Sequence, residues 1–238
     1  MQRIMKAVTA VACLASTGIA AVVPAVSRRA ETVKIMPLGD SITGSPGCWR
    51  ALLWQQLQNA GITNTDFVGS LPGDGCGFEY DSENEGHGGI LATNIVAQNQ
   101  LPPWLESAQP DIVMVHLGTN DAWSNVETAK IIETHSTLVD QMRESNPNMV
   151  ILLAQIIPMN PTNCNGCGPR VEEFNSAVAE WAPTKSTEES PIVIVDCFTG
   201  FDTGTDTGDG VHPNEAGNEK IANSWFEPLS EAIKQVGG

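Results

Sequence analysis

The sequence predicts an α/β protein, a three-layer α/β/α sandwich around a central, mostly parallel sheet of five strands. Three observations predict it. Apolar runs of strand length recur along the chain, segments with helical spacing separate them, and polar residues suited to chemistry follow directly after several of the runs. Strand and helix in alternation favour parallel strands joined by crossover helices that cover both sheet faces.

The elements follow in order. Val33 to Leu38 reads as the first strand, and Leu52, Leu53 and Leu57 give helical spacing in the segment after Trp49. Thr65 to Ser70 reads as the second strand. Asp111 to Leu117 is a nearly continuous apolar run, as expected of a parallel strand buried on both faces. Val126, Ala129, Ile132, Leu138 and Met142 mark a helix, and Met149 to Ile157 the fourth strand. Val171, Phe174, Val178 and Trp181 mark a further helix, and Ile192 to Val195 the fifth strand. Asn214 is placed to cap a last helix, which ends at Gly237-Gly238.

Residues 1–29 stand apart from this pattern. A short segment carrying Arg3 and Lys6 precedes an apolar, small-residue run from Ala7 to Val26, the layout of a secretory signal peptide. Pro24 and the many Ala, Thr and Gly residues make the run a poor membrane anchor. Ala10 stands three residues before Cys13, where a larger aliphatic is usual, and apolar residues continue beyond Cys13, which argues against a lipoprotein cysteine. Arg28-Arg29 resembles a dibasic processing site, so the expected mature chain begins near Ala30. The expected organisation is a signal peptide with a short pro-segment over 1–29 and one domain over 30–238, since no linker or repeat divides the remainder.

The chain of 238 residues carries a formal net charge of −16. Four of its 12 basic residues, Arg3, Lys6, Arg28 and Arg29, lie in the segment expected to be removed. So acidic a surface repels nucleic acid and anionic membranes and tolerates neutral substrates such as sugars. Nucleic-acid and membrane partners are therefore not expected; secretion is expected from the layout of residues 1–29, and a monomer is the default. Beyond Cys13 the cysteines are Cys48, Cys76, Cys164, Cys167 and Cys197. Secretion permits disulfides, and the odd count leaves at least one thiol over or paired between chains. The sequence leaves the connectivity open. The preferred pairing is Cys48–Cys76 and Cys164–Cys167, with Cys197 buried and free beside the Ile192–Val195 run. One CxxC without a second is weak support for zinc, and Asn160-Pro161-Thr162 is excluded as a glycosylation acceptor by its proline.

In parallel sheets the reactive residues lie beyond the carboxyl ends of the strands. After the first predicted strand comes Gly39-Asp40-Ser41, and after the third Gly118-Thr119-Asn120-Asp121. After the fifth, beyond a Gly- and Asp-rich loop, comes Asp209-Gly210-Val211-His212. A serine hydroxyl needs a base, and the base needs an orienting group. His212 is the candidate base for Ser41, and Asp209, three residues earlier, the candidate orienter. Acyl transfer also needs donors for the developing oxyanion. The Ser41 N–H, the Asn120 amide and the N–H of a glycine in Gly86-His87-Gly88-Gly89 are the candidates. Asp40 reads as the holder of the nucleophile turn. His116, inside a buried strand, reads as structural. His87 and Trp123 are candidate substrate contacts. The acidic segment from Asp202 to Gly210 reads as a solvated loop. A structural calcium there is the disfavoured alternative, because an EF-hand's terminal glutamate is missing. No metal ligands are assigned and no cofactor is expected for catalysis.

These residues resemble the SGNH (GDSL-like) hydrolase superfamily. Its four blocks map onto Ser41, a glycine of the 86–89 segment, Asn120 and His212, and the likeness spans Ile35 to Asn214. It implies Gly89 as the block glycine, with Gly86 and Gly88 as alternatives. Ile42 stands where many members have leucine. Within that superfamily the segments Met36-Pro37-Leu38-Gly39-Asp40-Ser41-Ile42-Thr43, Cys48-Trp49-Arg50, Asp66-Phe67-Val68-Gly69-Ser70 and Asn84-Glu85-Gly86-His87-Gly88-Gly89 are most similar to carbohydrate esterase family 3. That resemblance implies a serine esterase acting on acetylated polysaccharide, xylan above all. The alternatives are a broad-specificity carbohydrate or lipid esterase and a non-catalytic carbohydrate-binding module. The missing Gly-x-Ser-x-Gly elbow opposes an α/β-hydrolase lipase.

Overall fold

The computed structural model describes residues 32–44, 46–73 and 75–237. The expected signal peptide, the Arg28-Arg29 site and the start near Ala30 lie outside them. The sheet has the order β2-β1-β4-β5-β6. Its strands are β1 (Val33–Gly39), β2 (Thr65–Phe67), β3 (Glu85–Gly86), β4 (Ile112–His116), β5 (Val150–Gln155) and β6 (Ile192–Asp196). Every pairing among them is parallel. The sheet thus has the expected direction and one strand more than expected. The added strand, β3, pairs only Leu38 with Glu85 and Gly39 with Gly86. Two residues, one of them charged, carry no apolar run to betray a strand.

The helices are α1 (Cys48–Asn59), α2 (Ala92–Ala97), α3 (Leu101–Ala108), α4 (Thr119–Trp123), α5 (Thr128–Ser145), α6 (Cys167–Lys185), α7 (Thr203–Asp206) and α8 (Glu215–Gly237). Helix α1 packs on α8, while α5 packs on α2, α3 and α6, so two helical groups flank the sheet. Its central strand β4 is buried at every position, which explains a run without polar alternation. The edge strand β6 is only partly covered and leaves Val193 and Asp196 exposed. Trp49 of α1 stacks on Trp225 of α8, ring centroids 5.9 Å apart, and seals that layer. Asn214 caps α8, its side-chain oxygen accepting from the Gly217 N–H at 3.1 Å. None of the helices among the described residues is long and apolar enough to cross a membrane.

The chain winds outward from β1 in both directions, with β2 on one side and β4 on the other. This reversal opens a crevice beyond the carboxyl ends of β1 and β4, the usual ligand position in such sheets. Ser41 follows β1 and Asn120 follows β4, so the topology brings both to its rim.

At the end of β4, Gly118 has φ 123°, and a Cβ built there would lie 2.7 Å from the Phe174 ring. Both the backbone and the space exclude a side chain. Gly118→Ala is expected to lower stability by at least about 2 kcal/mol. Urea denaturation measures this, and an unchanged midpoint would contradict the packing described.

Candidate active site

Asp40, Ser41, Ile42 and Thr43 form one tight turn after β1, closed by the Gly44 N–H donating to the Asp40 carbonyl at 2.9 Å. Ser41 is half-buried, and its own N–H is left without a protein acceptor among the described residues. Asp40 is fully buried and accepts the Ile42 N–H at 3.0 Å, which fixes the turn. Burial is the main influence on its carboxyl and raises its pKa to about 6, against the opposing bond from Ile42 and the neighbouring Thr119 hydroxyl.

Two residues of α1 hold the turn from below. The Arg50 guanidinium donates to the carbonyls of Thr43 at 2.7 Å, Gly44 at 2.8 Å and Ser82 at 2.8 Å. The Trp49 indole N–H donates to the Ile42 carbonyl at 2.8 Å. Arg50 is fully buried, and burial lowers its pKa from the ordinary arginine value. Neither residue received a role from the sequence. A sequence cannot show that an arginine near a Gly-rich turn points inward, although Cys48-Trp49-Arg50 belongs to the segments that carry the family likeness.

The loop before α8 brings His212 to Ser41. The Ser41 Oγ and the His212 Nε2 lie 2.9 Å apart, and the His212 Nδ1 lies 2.7 Å from Asp209 Oδ2. Asp209 also accepts the backbone N–H of Val211 at 3.0 Å and of His212 at 2.8 Å. Partial burial acts to raise the Asp209 carboxyl. The hydrogen bonds from His212 and Val211 outweigh it and bring the pKa down to about 2. Asp209 is therefore ionised throughout the neutral range, and the imidazole Nδ1 faces a carboxylate. The His212 and Asp209 side chains are 52% and 55% exposed, so this part of the site lies open at the surface.

Besides the Ser41 N–H, the candidate oxyanion donors come from α4 and from the 86–89 segment. Asn120 sits in the first turn of α4, where its Nδ2 donates to the Ile90 carbonyl at 3.0 Å and retains a second N–H. Next to it, Asp121 is buried and accepts the N–H of Ala92 at 2.8 Å and of Thr93 at 3.1 Å, which locks the start of α2 to α4. Residues His87 to Ile90 make a turn closed by the Ile90 N–H on the His87 carbonyl at 3.2 Å. Gly89 takes its third position with φ 73°, where glycine is preferred. Gly88 is the glycine that faces the serine: a Cβ there would lie 4.0 Å from the Ser41 Cβ, whereas one on Gly89 meets nothing within 4 Å. The N–H of Gly86 is engaged by Asn84 Oδ1 at 2.9 Å, and this glycine packs directly on Gly44.

The remaining sequence candidates have other surroundings. His87 Nε2 lies 2.6 Å from Glu85 Oε1, and the ring stacks on Trp104 with centroids 4.5 Å apart. Glu85 is buried and also takes both the N–H and the hydroxyl of Ser70. Trp123 packs half-buried against the core. His116 accepts the Ile157 N–H at 3.3 Å, and burial lowers its pKa to about 4, which leaves it neutral inside the sheet. The disulfides are Cys48–Cys76 and Cys164–Cys167, with Cys197 free and buried. In the acidic loop, Asp202 accepts the Gly204 N–H, and Asp206 accepts the Asp202 N–H and Lys220 Nζ. Among the described residues no group of three or more His, Cys, Asp or Glu converges as a metal cage. The sequence also passed over Arg170, which donates to the Ala122 carbonyl at 2.5 Å and contacts the sulfurs of Cys164 and Cys167 at 3.1 and 3.4 Å. It thereby ties the end of α4 to the second disulfide.

A parallel sheet whose reversal point gathers a serine, a histidine–aspartate pair and an asparagine amide defines an ester hydrolase of the SGNH type. The chain belongs to the GDSL-like Lipase/Acylhydrolase family, whose sequence profile matches residues 38–220. It is 32% identical to a multidomain esterase of Ruminococcus flavefaciens over 90% of this chain, and it spans 31% of that longer protein. Among solved structures it is similar to an acetyl esterase mutant with an acetate ion, at 36% identity and TM-score 0.77, over 86% of this chain and 99% of that one. It is equally similar to a carbohydrate esterase family 3 protein of Talaromyces cellulolyticus, at 36% identity and TM-score 0.77, over 85% of this chain and 99% of that one. These likenesses make the domain a carboxylic ester hydrolase of a kind that needs no cofactor.

The buried carboxyl of Asp40 yields a pH prediction. In the unfolded chain it ionises near 3.8, and in the folded chain near 6. Between those values the folded state binds more protons, so its stabilising contribution falls as pH rises through the window, by about 3 kcal/mol in total. Asp40→Asn keeps an acceptor for the Ile42 N–H and does not titrate. Urea denaturation should show the variant gaining on the wild type between about pH 4 and pH 6, whereas parallel curves would refute the account.

Proposed function

We propose that this chain is a secreted serine esterase that removes O-acetyl groups from plant cell-wall polysaccharide, with acetylated xylan as its main substrate. The single observation that carries the chemistry is the chain of short contacts from Ser41 Oγ through the His212 ring to Asp209. In the acylation step Ser41 Oγ attacks the acetyl carbonyl carbon while His212 Nε2 takes the hydroxyl proton. The carbonyl π electrons move onto oxygen, and that oxyanion meets the N–H groups of Ser41 and the Gly88-Gly89 turn together with the Asn120 amide. On collapse the ester C–O bond breaks, and His212 returns its proton to the departing sugar oxygen. Water, deprotonated by the same imidazole, then releases acetate and restores Ser41. Asp209 holds the Nδ1–H tautomer and stabilises the imidazolium.

The substrate reading is supported by three things. Solved structures similar to this chain include an acetyl esterase and a carbohydrate esterase family 3 protein. The His212 end of the site is open, which admits a polymer that a closed pocket would exclude. The charge of −16 disfavours anionic substrates and leaves neutral hemicellulose acceptable. Secretion is supported by the signal-like pattern of residues 1–29 and by the two disulfides, and the esterase domain is assigned to 30–238.

Acetate release should be compared on acetylated xylan, acetylated pectin, chitin oligomers and a short synthetic acetate ester. The expected order places acetylated xylan first. Faster turnover of pectin or chitin would replace the substrate, and turnover of the synthetic ester alone would sink the polysaccharide reading. Ser41→Ala should lower kcat by more than about 10³-fold with the fold intact. Wild-type turnover in that variant would refute the mechanism. Asn120→Ala should lower kcat by about 10² to 10³-fold, with KM changed far less. A loss confined to KM would mean that Asn120 binds ground-state substrate and does not serve the oxyanion.

A further inference from the structure

Phe78 is one of few large apolar side chains left exposed among the described residues. It borders an open groove of about 510 Å³, between the Cys48–Cys76 disulfide and Leu52 on one side and Pro213 and Glu215 on the other. Both walls are fixed to the reacting groups. Cys48 begins α1, whose next two residues hold the nucleophile turn through the Trp49 and Arg50 bonds. Pro213 follows His212 directly. The buried Asn218 locks the walls together, its Oδ1 accepting the Trp49 N–H at 3.0 Å and its Nδ2 donating to the Asn214 carbonyl at 2.9 Å. The segment that carries Phe78 is bound covalently to α1 by Cys76. The groove therefore keeps a constant relation to Ser41 and His212.

The lining suits one chemistry. Phe78 offers an exposed ring to the C–H face of a sugar. Gly75 and Gly77, both with positive φ and nothing within 4 Å of a notional Cβ, leave bare peptide groups for hydroxyls. The Glu215 carboxylate in the first turn of α8 is exposed at the rim and accepts hydrogen bonds. A long acyl chain calls for an enclosed apolar slot, whereas this groove is open and carries a carboxylate. An anionic polymer meets Glu215 and the net charge of −16. We propose that the groove between Phe78 and Pro213 is a subsite for unreacted backbone sugars of a neutral polysaccharide, next to the acetylated residue at Ser41. The proposal rests on the polysaccharide esterase reading and extends it to the part of the substrate that is not cleaved.

The test compares wild type, Phe78→Ala, Phe78→Trp and Glu215→Lys on acetylated xylo-oligosaccharides and on a short synthetic acetate ester, with binding of unacetylated xylohexaose to Ser41→Ala measured by calorimetry. Phe78→Ala should raise KM for the oligosaccharide about tenfold, the equivalent of losing one aromatic stacking contact. Its kcat and its turnover of the synthetic ester should stay at wild-type values, and Phe78→Trp should retain the oligosaccharide KM. Glu215→Lys should raise that KM as well. Xylohexaose should bind Ser41→Ala and lose that binding when Phe78→Ala is added. Unchanged oligosaccharide KM and unchanged xylohexaose binding in Phe78→Ala would overturn the subsite while leaving the esterase reading intact. A variant impaired only on esters of longer acyl chains would overturn it in favour of an acyl groove. Failure of the wild type on every acetylated oligosaccharide would defeat the polysaccharide reading itself. In that case absence of xylohexaose binding overturns the subsite too, and Phe78-dependent binding upholds it as a sugar site independent of the esterase substrate.

Discussion

The buried guanidinium of Arg50 is the contact on which the site depends. A nucleophile turn has to present its serine hydroxyl outward, so its carbonyls point back into the protein, where water cannot serve them. Arg50 answers two of them, at Thr43 and Gly44, and reaches the Ser82 carbonyl as well. Its partners are thus two segments more than thirty residues apart, the turn after β1 and the stretch that leads into β3. Burial works against the charge and lowers the pKa from the ordinary arginine value, while the rigid fork of N–H donors meets all three carbonyls. A lysine has no planar fork to reach three carbonyls at once. Removing the side chain would leave buried acceptors unpaired, which costs about 1–3 kcal/mol for each such group.

A second anchor works on the opposite rim. Helix α4 has only five residues, too short to hold its own orientation. Its neighbours supply what its length does not. Asp121 binds the start of α2, the Asn120 amide binds the Ile90 carbonyl, and Arg170 takes the Ala122 carbonyl while lying against the second disulfide. The positive charge of Arg170 also sits at the carboxyl end of the helix, where it is favourable. The amide of Asn120 is thereby held in place before substrate arrives. In the proposed mechanism this fixity serves the oxyanion, because such donors are effective to the extent that they need no rearrangement during reaction.

The sheet was legible because buried parallel strands leave apolar runs. All five long runs became strands, and the polar residues after the first, third and fifth of them lie at the reversal point of the sheet. Local contacts were legible too: Asp209 and His212 are three residues apart, and a tight turn joins them. What the sequence hid is non-local or too short to carry a period. Strand β3 has two residues, and helices α2, α4 and α7 have six, five and four. The role of Arg50 depends on carbonyls supplied by other segments. The choice among Gly86, Gly88 and Gly89 depends on which peptide faces Ser41, and the bond from Gly86 to Asn84 and the approach of Gly88 to Ser41 exist only after folding. The groove at Phe78 joins residues from α1, a loop and the start of α8, so no single window of sequence contains it.

Two carboxylates lie within reach of the serine turn, and their surroundings assign them different work. Asp40 is immediately before Ser41 in the chain, yet it is buried and bound to the Ile42 N–H, and burial raises its pKa to about 6. A carboxylate that is costly to ionise is a poor counter-ion for an imidazolium. Asp209 is more than half exposed, its bonds to His212 and Val211 outweigh its partial burial, and its pKa falls to about 2. It stays ionised throughout the neutral range, and it contacts the ring nitrogen away from the serine. Asp209 also lies three residues from His212 in the chain, so spacing and solvation agree. Solvation favours Asp209 for the orienting role and leaves Asp40 to shape the backbone that presents Ser41.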